Sequence, residues 1–222
     1  MVLDTFSLKD RRIVIIGGEG LLGSVARKTV SELGGLPTSV DVKDMGIDVT
    51  DYAALRIIAD HGPIHGVINC AIGNQMPTDD AQKFMETDLK VGLTGAAVCH
   101  KVFYDPLKAT KGVFINVGSD LALMAPRPSR YGELFKPLAY SVVKHSIVGL
   151  TRYYAALWGK DGIRVNCFCP GSIDQGQAVP DCPLGRLAEA SEMAGPLAFL
   201  LSDASSYMTG AILSVDVGST CW

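Results

Sequence analysis

The chain has 222 residues, is 48% hydrophobic, and balances 20 basic against 23 acidic residues for a net charge of -3. That length can bury a substantial core as one domain, and the absence of a basic run excludes the electrostatic footprint of a nucleic-acid binder. No apolar run reaches the roughly 18 residues of a membrane span, and the first ten residues lack a signal-peptide core, so the expectation is a soluble, cytoplasmic protein.

In chain order, the first predicted element is a short, wholly apolar strand, Ile-Val-Ile-Ile at 13–16, closed by the turn Gly17-Gly18-Glu19-Gly20-Leu21-Leu22-Gly23. A strand apolar on both faces belongs in a parallel sheet covered on both sides. Leu22, Ala26, Val30 and Leu33 follow at helical spacing until Gly34-Gly35 ends the pattern. Strand, glycine turn and helix together form a dinucleotide signature, in which the glycines let the backbone approach a pyrophosphate seated on the helix N-terminus. A second strand is predicted over 37–42. It carries Asp41, which lies 24 residues after Gly17, about where an acidic side chain meets the adenosine ribose hydroxyls.

Only six residues separate Asp41 from Asp48. A parallel crossover needs about a dozen or more, so no third strand fits beside the second. A helix is predicted over 50–59, N-capped by Thr50. A strand over 65–71, a long helical region over 80–104 and a strand over 113–117 come next. After them the pattern gives a helix to about 158, a strand over 161–171, a loop over 172–185, a helix over 189–201 and a last strand over 211–216. No repeat or linker interrupts the run, so the reading is α/β: a single doubly wound, Rossmann-type parallel sheet over residues 1–222, shortened after the second strand. The six cysteines (70, 99, 167, 169, 182 and 221) read as small apolar thiols, and no metal site is expected.

The chemistry concentrates between 112 and 150. Tyr140 and Lys144, four apart, stack on one helix face, and a nearby ammonium favours the phenolate form of a tyrosine. Ser119, at the end of the 113–117 strand, is placed to hydrogen-bond a carbonyl oxygen. Tyr104 and Lys108 repeat the spacing, but Asp105-Pro106 intrudes there, and a proline inside a helix removes a donor and clashes with the preceding turn. Between Ser119 and Tyr140, residues 125–137 hold Arg127, Arg130 and Lys136 against the single acid Glu133, with Tyr131 and Phe135 among them. This stretch is expected to bind an anionic sugar-phosphate or nucleotide-sugar substrate through Arg127 and Arg130, the alternative being an ordinary solvated loop.

Assembled in order, the Gly17 turn, Asp48-Val49-Thr50, Asn69-Cys70-Ala71, Ser119, Tyr140 with Lys144, Arg164-Val-Asn166, Cys169-Pro170-Gly171-Ser-Ile173 and Ser206-Tyr-Met-Thr-Gly210 make the whole chain resemble the short-chain dehydrogenase/reductase family. The resemblance implies a nicotinamide-dependent oxidoreductase with Tyr140 as acid/base, Ser119 orienting the substrate oxygen, and Lys144 holding the nicotinamide ribose. The cofactor residues it implies are Gly17, Gly20, Leu22, Gly23, Asp41, Asp48, Val49, Cys70, Ala71, Val117, Tyr140, Lys144, Pro170 and Ile173. It also implies a homodimer or homotetramer acting on a small molecule. The stretch from Ser119 to Pro126 and the tyrosine motif look most like bacterial members working in surface-carbohydrate biosynthesis. The chain departs from the family pattern in the 17, 20, 23 glycine spacing, in Gly92, which stands where the family carries an asparagine, and in the 21-residue separation of Ser119 and Tyr140.

Asp41 would accept ribose hydroxyls and repel a 2′-phosphate, so NAD(H) is expected over NADP(H), with Lys43 the one nearby cation acting the other way. Two other function classes share these residues: a sugar-nucleotide epimerase or dehydratase, which keeps its cofactor bound, and a nucleotide-binding regulatory protein without turnover.

Overall fold

The structure, a computed structural model, describes residues 3–73, 81–127, 138–179 and 181–221. Six strands, β1 (Arg12–Ile16), β2 (Leu36–Val40), β3 (Gly66–Asn69), β4 (Val113–Val117), β5 (Arg164–Pro170) and β6 (Ile212–Val215), form one sheet in the order β2-β1-β3-β4-β5-β6. Every neighbouring pair is parallel. The helices are α1 (Leu21–Glu32), α2 (Tyr52–Asp60), α3 (Ala81–Leu89), α4 (Gly95–Thr110), α5 (Leu138–Trp158) and α6 (Ala194–Leu201).

Side chains alternate across a strand, and in β1, β3, β4 and β5 both sets are buried, so the centre of the sheet is covered on both faces. Ile13 and Ile15 pack with Ala26 and Val30 of α1 and Leu197 and Leu201 of α6. Val14 and Ile16 pack on the other face with Leu55 of α2, Phe103 and Leu107 of α4 and Trp158 of α5. Phe103, Phe114 and Phe168 are fully buried, and each contributes about 1.5–3 kcal/mol from burial alone.

The expected shortening is present. Between Val40 and Tyr52 the chain makes only turns, with Met45 N donating to Asp41 O at 2.9 Å. This leaves β2 as an edge strand, where Pro37 costs no ladder donor the sheet needs. The chain passes from β1 to one side for β2 and to the other for β3. That reversal opens a crevice at the carboxyl ends of the strands, the usual place for a ligand in such sheets.

Several local expectations change. The α2 cap is Asp51, whose carboxylate accepts Ala54 N at 3.0 Å. Thr50 is occupied elsewhere, its N–H and Oγ1 both donating to Asp48 Oδ1 at 2.8 Å. The helical region expected to end at 104 is α3, a π turn over Lys90–Thr94, and α4, which runs unbroken through Pro106. A proline at 106 leaves the carbonyl of Val102 without its helical donor, and Arg56 Nη1 donates to that oxygen at 3.5 Å. The π turn brings Gly92 onto α5: a Cβ there would sit 2.4 Å from Val143 Cγ1, so an asparagine would require the Val143 side chain or its helix to shift. The helix expected over 189–201 starts as a 3-10 turn, Ala190–Met193, opened by a Glu189/Glu192 capping box.

His100, on α4, is fully buried and stacks between Phe114 and Tyr154 with ring centroids 4.0 and 4.1 Å away. Its Nδ1 lies 2.8 Å from Ala96 O and its Nε2 3.4 Å from Asn116 Nδ2, so Nδ1–H donates and Nε2 accepts, the pattern of a neutral ring. Burial lowers its pKa from 6.5 to about 4. Because the folded value is depressed, the stabilisation is complete above the unfolded pKa and is lost as pH falls from 6.5 through 4, by up to roughly 3 kcal/mol. Melting temperatures recorded across that range should fall more steeply for the wild type than for His100→Gln; parallel curves would contradict this account.

Candidate active site

The crevice holds two adjoining cavities that share Gly17, Gly20, Cys70 and Ile72. The larger, about 460 Å³, is lined by Gly17, Gly20, Leu22, Gly23, Cys70, Val117, Ser119, Tyr140, Lys144, Pro170 and Ile173. Asp41, Asp48, Val49 and Ala71 line the smaller, of about 290 Å³. The residues expected for catalysis and for a dinucleotide therefore fall along one continuous groove.

Gly17 turns the chain at φ 73°, and a Cβ there would stand 3.0 Å from Ala71 N, so this turn needs glycine. The turn leads into α1 at Gly20, an N-cap with no side-chain hydrogen bond. The first N–H groups of α1 are thus left without a side-chain acceptor at the groove, the arrangement that receives a phosphate. Asp41, 9% exposed, stands at the end of β2. Its Oδ2 accepts Glu19 N at 3.0 Å and its Oδ1 accepts Lys43 N at 2.9 Å, so it also braces the glycine turn. Glu19 is itself held by Ser39 Oγ at 2.9 Å and by Arg27 Nη2 at 3.1 Å. In the smaller cavity, the Thr50 backbone and hydroxyl hold Asp48 below the usual carboxylate range.

Tyr140 lies in the first turn of α5 and Lys144 one turn later, with Lys144 Nζ 5.7 Å from the Tyr140 ring centroid. Lys144 is 4% exposed and donates to Val117 O at 2.8 Å. Burial holds its ammonium below the ordinary lysine range. Ser119, buried two residues beyond β4, caps a 3-10 turn over Asp120–Ala122. Its Oγ donates to Asp120 Oδ1 at 2.9 Å and accepts Leu121 N at 3.2 Å. A phenol, an ammonium and a hydroxyl around one cavity can exchange a proton with a substrate oxygen while the groove holds a second reactant alongside.

The second tyrosine–lysine pair lies outside both cavities. Tyr104 Oη donates to Asp161 Oδ2 at 2.8 Å, and Lys108 Nζ pairs with Asp161 Oδ1 at 2.9 Å. It is therefore a structural clasp, although the helix break expected at Pro106 does not occur. Arg127 is not among the residues lining the larger cavity, and its Nη2 donates to Ser219 O at 3.3 Å. Arg130 lies outside the described residues, as do Tyr131, Phe135 and Lys136. Sequence reasoning missed three polar wall residues, Asp120, Gln175 and Gln177. For Asp120 the available signal was an acid immediately after the candidate serine; the glutamines carried none.

The sequence model described as Enoyl-(Acyl carrier protein) reductase matches residues 12–220. A galactitol 2-dehydrogenase of Rhizobium johnstonii is 30% identical, the match covering 98% of each chain. Among solved structures, a short chain dehydrogenase from Leptospira borgpetersenii with bound NAD+ aligns at a TM-score of 0.86 and 25% identity, over 98% of this chain and 95% of that one. An NADPH-dependent 3-quinuclidinone reductase from Rhodotorula rubra aligns at 0.82 and 25%, over 100% and 95%.

Proposed function

The chain belongs to the short-chain dehydrogenase/reductase family of oxidoreductases, and from that premise we propose that it interconverts a secondary alcohol and a ketone using NAD(H). The observation that carries this reading is the meeting of Ser119, Tyr140 and Lys144 in one cavity continuous with the glycine turn. NAD(H), when bound, supplies or accepts the hydride. Gly17, Gly20, Leu22 and Gly23 would hold its pyrophosphate, Asp41 its adenosine ribose, and Asp48, Val49 and Ala71 its adenine. Val117, Cys70, Pro170 and Ile173 would flank the nicotinamide side, and Lys144 would reach its ribose. Tyr140 takes the proton from the alcohol or returns it to the ketone, with Lys144 favouring the phenolate and Ser119 bonding the reacting oxygen.

Polar walls support a polyhydroxylated substrate. Ser172, Gln175 and Gln177 border the cavity, and a relative is a galactitol dehydrogenase. Among the described residues, the charged groups lining the larger cavity are Lys144 and Asp120. That pairing favours a neutral polyol over the anionic substrate expected from the 125–137 loop. Assaying NAD+ reduction against a panel of sugar alcohols tests the reading, and dependence of any turnover on Tyr140 tests the assignment.

Preference for NAD(H) rests on two carboxylates. Asp41 and Glu19 adjoin the ribose end of the groove, and Arg27, a cation near the turn, is paired with Glu19 at 3.1 Å. Lys43 also lines the smaller cavity and offsets part of this charge, but Asp41 stands where the ribose hydroxyls would be and would repel a 2′-phosphate there, so NAD(H) should bind at least about tenfold more tightly. Asp41→Ala should narrow that gap while weakening both cofactors, because it also releases Glu19 N. Titration of the two cofactors decides it, and tighter NADP(H) binding by the wild type would contradict the reading.

A further inference from the structure

Asp120 is a carboxylate at 2% exposure in the wall of the larger cavity, next to the hydroxyl that meets the substrate. We infer that Asp120 is a specificity-determining residue that selects substrates carrying a hydroxyl or ammonium on the carbon adjacent to the reacting one. The inference rests on the alcohol/ketone reading above, and it assigns a role to a residue outside the Ser119, Tyr140 and Lys144 set.

The geometry points there in two steps. Ser119 has one proton, and it is directed at Asp120 Oδ1, 2.9 Å away. Its Oγ meanwhile accepts Leu121 N at 3.2 Å, so toward the cavity Ser119 presents lone pairs. A ketone oxygen needs a donor there, and Ser119 becomes one only when its proton leaves Asp120. A carboxylate is an acceptor only, and Leu121 N already donates to Oδ1 at 2.8 Å. Something that donates to Asp120 in place of Ser119 therefore releases the serine proton to the reacting oxygen.

A neighbouring hydroxyl on the substrate is placed to be that donor. An oxygen bonded to Ser119 Oγ at roughly 2.8 Å lies within about 6 Å of Oδ1, and an oxygen on the next carbon falls between the two. The swap is balanced: one O–H···O bond on Asp120 is exchanged for another, and Ser119 gains the reacting oxygen. A substrate with a single hydroxyl leaves Ser119 tied to Asp120, and a substrate with a carboxylate or phosphate on the adjacent carbon meets like charge.

The matched pair of vicinal cis-cyclohexanediol and cyclohexanol tests this with NAD+ as co-substrate. For the wild type, kcat/KM should favour the diol by about three- to tenfold, the usual worth of the one hydrogen bond that Ser119 gains at the reacting oxygen. In Asp120→Ala the diol should lose about three- to tenfold more than cyclohexanol does, mainly through KM, so that the preference disappears. Asp120→Asn, which keeps one acceptor oxygen, should fall between. Thermal melts show whether each variant is folded. A preference that survives in Asp120→Ala, or equal losses for the two alcohols, would overturn the inference. Should the wild type turn over neither alcohol, the alcohol/ketone reading fails for these probes. Calorimetric titration of each into NAD+-saturated protein then still reads Asp120. The diol should bind more tightly than cyclohexanol in the wild type and not in Asp120→Ala, and equal binding in the wild type would overturn the inference.

Discussion

Tyr140→Phe should lower turnover by about 10²- to 10⁴-fold, the range general acid/base groups supply, while NAD(H) affinity stays close to that of the wild type. The substitution removes one hydroxyl and little volume, and the ring remains on α5 beside the cavity that Ser119 and Lys144 also line. Lys144 keeps its bond to Val117 O, so the groove that would hold the cofactor is untouched. Retention of more than about a tenth of the wild-type rate would remove Tyr140 from its role. The same change at Tyr104 should leave turnover near normal, because that hydroxyl serves Asp161 and lies outside both cavities.

Lys144→Ala should damage more than one property. The ammonium is 4% exposed and is held by a backbone carbonyl at the end of β4. Losing it takes away the positive charge below Tyr140 and the donor expected at the nicotinamide ribose, so turnover should fall by about 10²-fold or more and cofactor affinity should weaken with it. Stability should respond less. The Val117 carbonyl loses a charge-assisted bond, but the cost of keeping an ammonium out of water is removed at the same time. Lys144→Gln keeps a hydrogen-bond donor without the charge and separates the two contributions. If it restores cofactor affinity without restoring rate, the charge drives the chemistry. A pH profile adds a sign: because burial holds Lys144 below the ordinary lysine range, activity should begin to decline at an alkaline pH lower than the one at which an exposed lysine deprotonates. Full activity throughout the range where exposed lysines titrate would contradict that.

What the sequence disclosed was mostly backbone logic. Apolar runs bounded by glycine gave the strands, and the six residues between Asp41 and Asp48 were too few for a crossover, so the missing strand could be read by counting. Gly17, Asp41, Ser119 and Tyr140 each stand at or close to an element boundary, where a strand end or helix start fixes position whatever the tertiary detail, and Lys144 follows one helical turn after Tyr140. Asp120 opens the 3-10 turn directly after Ser119 but carries no motif of its own, and Gln175 and Gln177 stand at no such boundary. The glutamines reach the cavity because the loop after β5 folds back through a bridge between Ile173 and Ala188, with Gln177 Nε2 donating to Ile173 O at 2.6 Å. Such a path depends on contacts between distant residues. Pro106 misled for a related reason: the rule that proline breaks a helix assumes the orphaned carbonyl stays orphaned, and Arg56 comes from α2 to meet it. Most of the 125–137 stretch lies outside the described residues; of its cations, Arg127 donates to the carbonyl of Ser219.

The alternative functions differ in what happens to the cofactor. Purified protein supplied with excess free NAD+ and a panel of sugar alcohols should release NADH and ketone in equal amounts, many times over per protein molecule, and Tyr140→Phe should stop both. A tightly held cofactor that is never exchanged while a sugar nucleotide is converted, or NAD+ that binds with no alcohol or ketone turned over, would contradict the alcohol/ketone reading.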